Sequence, residues 1–160
     1  MNKFKTFLVF LVTFILQTTI FSKIDIFGAN IIIPATVALS QTLGKKIGPY
    51  GAMITGLFED FLFTNLVGPR ALSYFLIGSF VSSDRFSFAK DKSTGLIMTF
   101  LASIFNLLLL SLIYYIFMRQ NNFMNYFPGP MLVESVLNTL IYFIYYRLVK
   151  KIMYIPTYRI

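Results

Sequence analysis

Six apolar runs, separated by charged or turn-forming residues, constrain this chain more than any other feature. The runs cover residues 6–21, 26–43, 47–66, 71–83, 95–118 and 131–149. Most approach the ~20 residues that a helix needs to cross a hydrocarbon core of ~30 Å, and the short fourth run crosses only if Arg70 snorkels or the bilayer thins. The sequence therefore predicts an all-α polytopic membrane protein, with six transmembrane helices in a single domain over residues 1–160.

The composition agrees with the membrane class and excludes several kinds of chemistry. The chain is 57% hydrophobic and only 12% charged, and it has neither cysteine nor histidine. Thiolate chemistry, histidine proton relays and ordinary zinc sites are therefore excluded, and we expect no metal, no cofactor and no enzymatic activity. The net charge of +8 does not indicate nucleic-acid binding, because the basic residues punctuate apolar runs and do not cluster on one solvated face.

The basic residues predict an orientation. If the amino terminus is cytoplasmic, eleven of the 14 Lys and Arg fall on the inner side, as the positive-inside rule requires. Both termini are then cytoplasmic. The inner set is Lys3, Lys5, Lys45, Lys46, Arg85, Lys90, Lys92, Arg147, Lys150, Lys151 and Arg159, and the outer set is Lys23, Arg70 and Arg119.

The first run is predicted to be a retained helix and not a signal peptide. It follows Lys3 and Lys5, as a signal sequence would. However, the stretch from Ile20 to Lys23 lacks the small-x-small cleavage pattern, and further apolar runs follow.

Small residues recur at every fourth position towards and through the third run. They are Gly44, Gly48, Ala52 and Gly56, and Asp60 continues the series. Residues four apart share one face of a helix, and small ones let a neighbouring backbone approach closely. The pattern predicts that the third helix is central to the bundle and is crossed by another helix.

Five polar residues are predicted to meet near the outer boundary of the membrane. Asp60 lies roughly 21 Å from Lys46 at ~1.5 Å per residue, and Arg70 should lie at a similar depth. Glu134 and Asn138 begin the last helix at a comparable depth, whereas Asn106 near mid-membrane is expected to make one interhelical hydrogen bond. The predicted cluster is Glu59, Asp60, Arg70, Glu134 and Asn138.

Three interpretations of this cluster remain open. Carboxylates in hydrocarbon cost on the order of 2.5–3.5 kcal/mol each, so they are usually turned inward and are paired or protonated. In a structural interpretation, Arg70 neutralises Asp60, Glu59 is protonated or snorkels outward, and the cluster fixes helix packing. In a functional one, the cluster shapes a contact surface for a partner helix. The third interpretation is a proton or ion pathway. It is weakened because no series of polar residues reaches the inner face.

One segment resembles the signature of a known family. Gly56-Leu57-x-x-Asp60, followed by Gly68-x-x-Ala71-Leu72 and then Gly78, is similar to the signature of MreD, the rod shape-determining membrane proteins of bacteria. The size, the six apolar runs, the basic inner loops and Asn138 within VLNTLIYFIYY also fit that family. Glu59, Pro69 and Arg70 are local details outside the family pattern.

The resemblance implies a non-enzymatic scaffold in the bacterial cytoplasmic membrane. Its implied partners are MreC, the actin homologue MreB, and RodA with a class B penicillin-binding protein, besides membrane lipid. The outer ends of the third and fourth helices would be held in place by Asp60, Gly68 and Arg70. The family is also similar in fold to the S components of energy-coupling-factor transporters, so the alternative function is capture of a vitamin.

Overall fold

The computed structural model describes residues 2–21, 28–83, 91–119 and 128–153. Within these ranges the chain is helical, and the prediction of an all-α protein is confirmed. Four of the basic residues used to predict the orientation, Lys23, Arg85, Lys90 and Arg159, lie outside the described residues. The helices are α1 (Asn2–Leu16, continued by a π-helical turn, Gln17–Phe21), α2 (Ile32–Leu43), α3 (Gly48–Phe63), α4 (Pro69–Val81), α5 (Lys92–Met118) and α6 (Gly129–Ile152).

Helix length divides these six helices into two groups. Three stretches are long and apolar enough to cross a membrane: Asn2–Ile20, Lys92–Met118 and Gly129–Ile152. In contrast, α2, α3 and α4 have 12, 16 and 13 residues. Helix α2 begins at Ile32, six residues after the start of the second apolar run, and just before it the side chain of Asn30 accepts the backbone N–H of Ile32 at 3.1 Å.

Helix α2 is the centre of the bundle. It packs against each of the other five helices, which surround it in the order α1, α3, α4, α5 and α6. Every residue from Ile32 to Ser40 is buried. The prediction that the third apolar run supplies the central helix is therefore wrong. A helix that is apolar on nearly all sides belongs inside the protein, and the segment from Ile31 to Leu39, whose one polar residue is Thr36, has that character.

Contacts between helix ends show that successive helices run in opposite directions. The start of α1, the end of α2 and the start of α3 meet at one end of the bundle, which we call the Lys46 end. The opposite end, which contains the end of α3 and the start of α4, is called the Asp60 end. The contacts that define the Lys46 end are Lys5 with Ile152, Ser40 with Gly48, Pro49 with Gly78, and Gln41 with Asp91.

Candidate functional site

The side chain of Asp60 caps the helix that follows its own. It is fully buried, and its Oδ2 atom accepts backbone N–H groups from Gly68 at 2.9 Å, Arg70 at 2.9 Å and Ala71 at 3.3 Å. These are N–H groups of the first turn of α4, which have no partner within their own helix. The carboxylate near the end of α3 thus holds the start of α4.

The sequence of the turn explains why the cap comes from a distance. Gly68 occupies the N-cap position of α4 and has no side chain with which to cap it. Its φ of 121° lies in a region that favours glycine, so a Ser or Asp at this position would be strained. Pro69 begins the helix without an N–H of its own. Asp60 supplies the missing acceptor, and its charge also suits the positive end of the helix dipole.

The backbone of Asp60 also ends α3. Its carbonyl accepts the N–H of Thr64 at 3.0 Å, and the Thr64 hydroxyl lies 2.8 Å from the carbonyl oxygens of both Asp60 and Leu66. One residue therefore closes one helix and opens the next. We call Asp60, Thr64, Gly68 and the first turn of α4 the Asp60 corner.

Gly56, one turn before Asp60 in the stripe of small residues Gly48, Ala52 and Gly56, lies against the first turn of α4. A Cβ atom at this position would lie 2.7 Å from both the Cα and the N of Ala71. Gly48 approaches α2 instead, since its Cβ would lie 2.5 Å from the Cα of Ser40. Ala52 between them is fully buried. The stripe therefore contacts α2 at Gly48 and α4 at Gly56.

Gly44 was predicted to begin this stripe, but it lies outside α3. It forms the C-cap of α2, with a φ of 78°, and its N–H donates to the carbonyl of Ser40 at 3.0 Å. Glycine is favoured here because it ends a helix with a positive φ, which other residues rarely adopt. The four-residue spacing to Gly48 spans the turn between α2 and α3 and not a single helix.

The pairing of Arg70 with Asp60, as the structural interpretation had it, is also wrong. The Nε atom of Arg70 lies 3.7 Å from the Oε1 atom of Glu59, and its guanidinium attracts the Asp60 carboxylate at longer range. Glu59 is itself buried, and its Oε2 atom accepts the hydroxyl of Tyr74 at 2.7 Å. Glu59 therefore turns inward. The Asp60 carboxylate binds backbone N–H groups, and Glu59 is the carboxylate that contacts Arg70.

From Tyr74, hydrogen bonds continue through the bundle. The Tyr74 hydroxyl accepts the Asn30 side-chain amide at 2.7 Å, and the backbone N–H of Asn30 donates to Asn138 Oδ1 at 2.9 Å. Asn138 in turn donates to the Ser103 hydroxyl at 2.9 Å, and the buried Glu134 lies one turn before it on α6. We call this chain from Arg70 to Ser103 the polar network. It joins α3, α4, α5, α6 and the segment before α2.

Three members of the polar network, Asn30, Tyr74 and Ser103, were not predicted from the sequence. Tyr74 is fully buried within an apolar run, where a tyrosine is ordinarily read as core or as part of an aromatic belt. Asn30 lies in the second apolar run. Asn is common just before a helix, and a helix start at the apolar residues after Asn30 was the signal in the sequence. Asn106 makes an interhelical hydrogen bond as expected, accepting the Ser73 hydroxyl at 2.7 Å.

The chemistry of this arrangement is that of helix association. Most of its polar groups are bonded to groups on another helix, and the described residues contain no set of three or more acidic side chains that would hold a metal ion. Because lipid offers no hydrogen-bond partner, separating these helices would expose each group to an apolar medium. The geometry therefore suits a lock between helices.

Comparison with known proteins assigns the chain to a family. The family described as rod shape-determining protein MreD matches residues 1–152. No curated protein and no solved structure matches the chain. The match includes the Asp60 corner and the polar network, and it covers nearly all of the 160 residues. The chain belongs to the MreD family and has a role in rod shape determination.

Proposed function

We propose that this protein is a non-enzymatic membrane scaffold of the bacterial cell-elongation machinery. It docks MreC and links the MreB cytoskeleton to peptidoglycan synthesis by RodA and a class B penicillin-binding protein. The observation that carries the proposal is the family match over residues 1–152. The polar network supports it, because its groups bind helices of the same chain and keep the outer surface of the bundle in a fixed arrangement.

The proposed orientation places the Lys46 end in the cytoplasm, with both termini on that side of the cytoplasmic membrane. It is supported by the basic residues among the described ranges, eight of which belong to helix ends or turns at the Lys46 end, against two at the Asp60 end. The first set is Lys3, Lys5, Lys45, Lys46, Lys92, Arg147, Lys150 and Lys151, and the second is Arg70 and Arg119.

Depletion of the protein is expected to round rod-shaped cells, because the elongation machinery would lose a membrane component. Cell shape during depletion is measured by microscopy, with a plasmid-borne copy of the wild type as the control that restores rods. A tagged copy, solubilised in mild detergent, should also copurify with MreC. Normal rods after depletion, together with a pull-down that lacks MreC, would contradict the proposal.

The same purified protein separates this function from the alternative of vitamin capture. An S component binds a small molecule tightly and depends on an ATPase module for transport. We expect no such dependence here. Tight binding of a vitamin by the purified chain, with uptake that requires an ATPase, would favour the alternative. A gene position beside a MreC-like gene would favour the scaffold.

A further inference from the structure

A groove runs along the outside of the bundle between α1 and α3. It has a volume of about 530 Å³, and its walls are apolar side chains that face away from the protein, among them Phe7, Ile54 and Phe58. Both helices begin at the Lys46 end, so the groove follows two helices that run in the same direction. Neither the Asp60 corner nor the polar network contributes to its lining.

A glycine forms the floor of the groove. A Cβ atom on Gly51 would lie 2.7 Å from the Cε2 atom of Phe10, so the absence of a side chain lets the Phe10 ring fold against α3. Phe10 is buried, whereas Phe7 and Tyr50 remain exposed beside it. The two helices therefore touch at the floor and leave an open, apolar cleft above it.

Charge enters the groove only at its Lys46 end. Lys3 and Lys46 are the charged residues of its lining, both are exposed, and no carboxylate lines it. Two ammonium groups at the mouth of an apolar cleft match a ligand with a negative group at one end of a hydrocarbon tail. An anionic phospholipid has that form, and basic residues at a membrane surface attract anionic lipid.

The length of the groove fits one leaflet of a bilayer. Its lining extends along α1 from Lys3 to Phe14, which corresponds to ~16 Å at ~1.5 Å per residue. Half of a ~30 Å hydrocarbon core is of the same size. A partner helix that crosses the whole core is about twice as long as the groove. The groove thus reaches from the level of the head groups to about the middle of the membrane.

We propose that this groove binds one acyl chain of an anionic phospholipid, whose phosphate lies between Lys3 and Lys46. The lipid comes from the leaflet at the Lys46 end of the bundle. It fills the cleft between α1 and α3 and adds apolar contacts to a helix pair that otherwise meets at the Gly51 floor. The proposal is independent of the scaffold function, because it rests on the groove and its two lysines alone.

Native mass spectrometry of the full chain in detergent tests this proposal, with phosphatidylglycerol and phosphatidylcholine added in separate titrations. Wild type is expected to retain phosphatidylglycerol in preference to phosphatidylcholine. Lys3→Gln with Lys46→Gln is expected to weaken phosphatidylglycerol binding roughly tenfold or more. Lys150→Gln with Lys151→Gln removes the same charge from the same end, outside the groove, and should leave that binding unchanged.

A second variant tests the apolar part of the site without any change of charge. Ile54 is exposed and lines the groove, so Ile54→Trp is expected to narrow the cleft and reduce phosphatidylglycerol binding while the melting temperature is kept. An equal loss of phosphatidylglycerol binding in the two double lysine variants would overturn the proposal. Equal binding of the two lipids by wild type would also overturn it. Dimeric chains that dissociate in Ile54→Trp would also overturn it, because a second copy would then occupy the groove.

Discussion

Asp60→Ala is expected to lower the free energy of unfolding by about 2–4 kcal/mol, because the first turn of α4 loses its acceptor. The backbone N–H groups of Gly68, Arg70 and Ala71 all bind the same Oδ2 atom. An alanine leaves these partly or fully buried N–H groups without a partner, and unpaired backbone groups away from water are costly. Unfolding in mixed micelles, followed by circular dichroism, measures the change.

Two further substitutions make this result specific to the acceptor. Asp60→Asn keeps a carbonyl oxygen in the side chain and loses the charge, so the expected loss is about 1 kcal/mol. Glu59→Ala should cost less than Asp60→Ala, since Glu59 has one hydrogen bond, to Tyr74, and a 3.7 Å contact with Arg70. Equal stability of Asp60→Ala and wild type would contradict the capping role.

An exchange of charge between Asp60 and Arg70 is expected to give no recovery of stability. An arginine at position 60 has no acceptor for the N–H groups of α4, and the partner of Arg70 is Glu59. A direct pair would have predicted partial rescue in the double variant, as coupled residues show. The structure therefore changes the expected outcome of this experiment.

Gly56→Ala is expected to destabilise the protein by about 2 kcal/mol, although alanine is the better helix former. The added Cβ would lie 2.7 Å from the Cα and N of Ala71, and 2.8 Å from the carbonyl carbon of Arg70. These are backbone atoms, so α3 and α4 must move apart. The same unfolding measurement in mixed micelles gives the size of the effect.

Gly129→Ala is the matched control for this substitution. Gly129 lies in the first turn of α6, and nothing lies within 4 Å of a Cβ built there. The stability of the Gly129→Ala variant should stay close to that of wild type. If Gly56→Ala and Gly129→Ala had the same stability, close contact between α3 and α4 would not be what the glycine stripe provides.

Much of the fold was predictable from local patterns. Each of the six apolar runs overlaps one helix, and the small residues Gly48, Ala52 and Gly56 are all buried. The position of α2 in the centre was not predictable. It depends on which helices surround which, a long-range property that the residues within one run do not encode.

The Asp60 corner shows the same limit within the site. The sequence placed Asp60 and Gly68 near each other, but it favoured an ion pair with Arg70, because opposite charges in hydrocarbon are expected to meet. The pattern held a second signal. Gly68 and Pro69 start a helix without a capping side chain, and a carboxylate precedes them by eight residues. A helix start without its own cap indicates that the acceptor comes from elsewhere.

The Asp60 corner holds the start of α4 against the end of α3, and we propose that partners dock on other surfaces of the bundle. The most direct test is the amount of MreC that copurifies per mole of folded protein, compared between wild type and Asp60→Ala. We expect less folded Asp60→Ala protein but an unchanged ratio of MreC to folded chain. A ratio that falls while the folded amount and the stability stay at the wild-type level would contradict the account, because Asp60 would then be a docking residue.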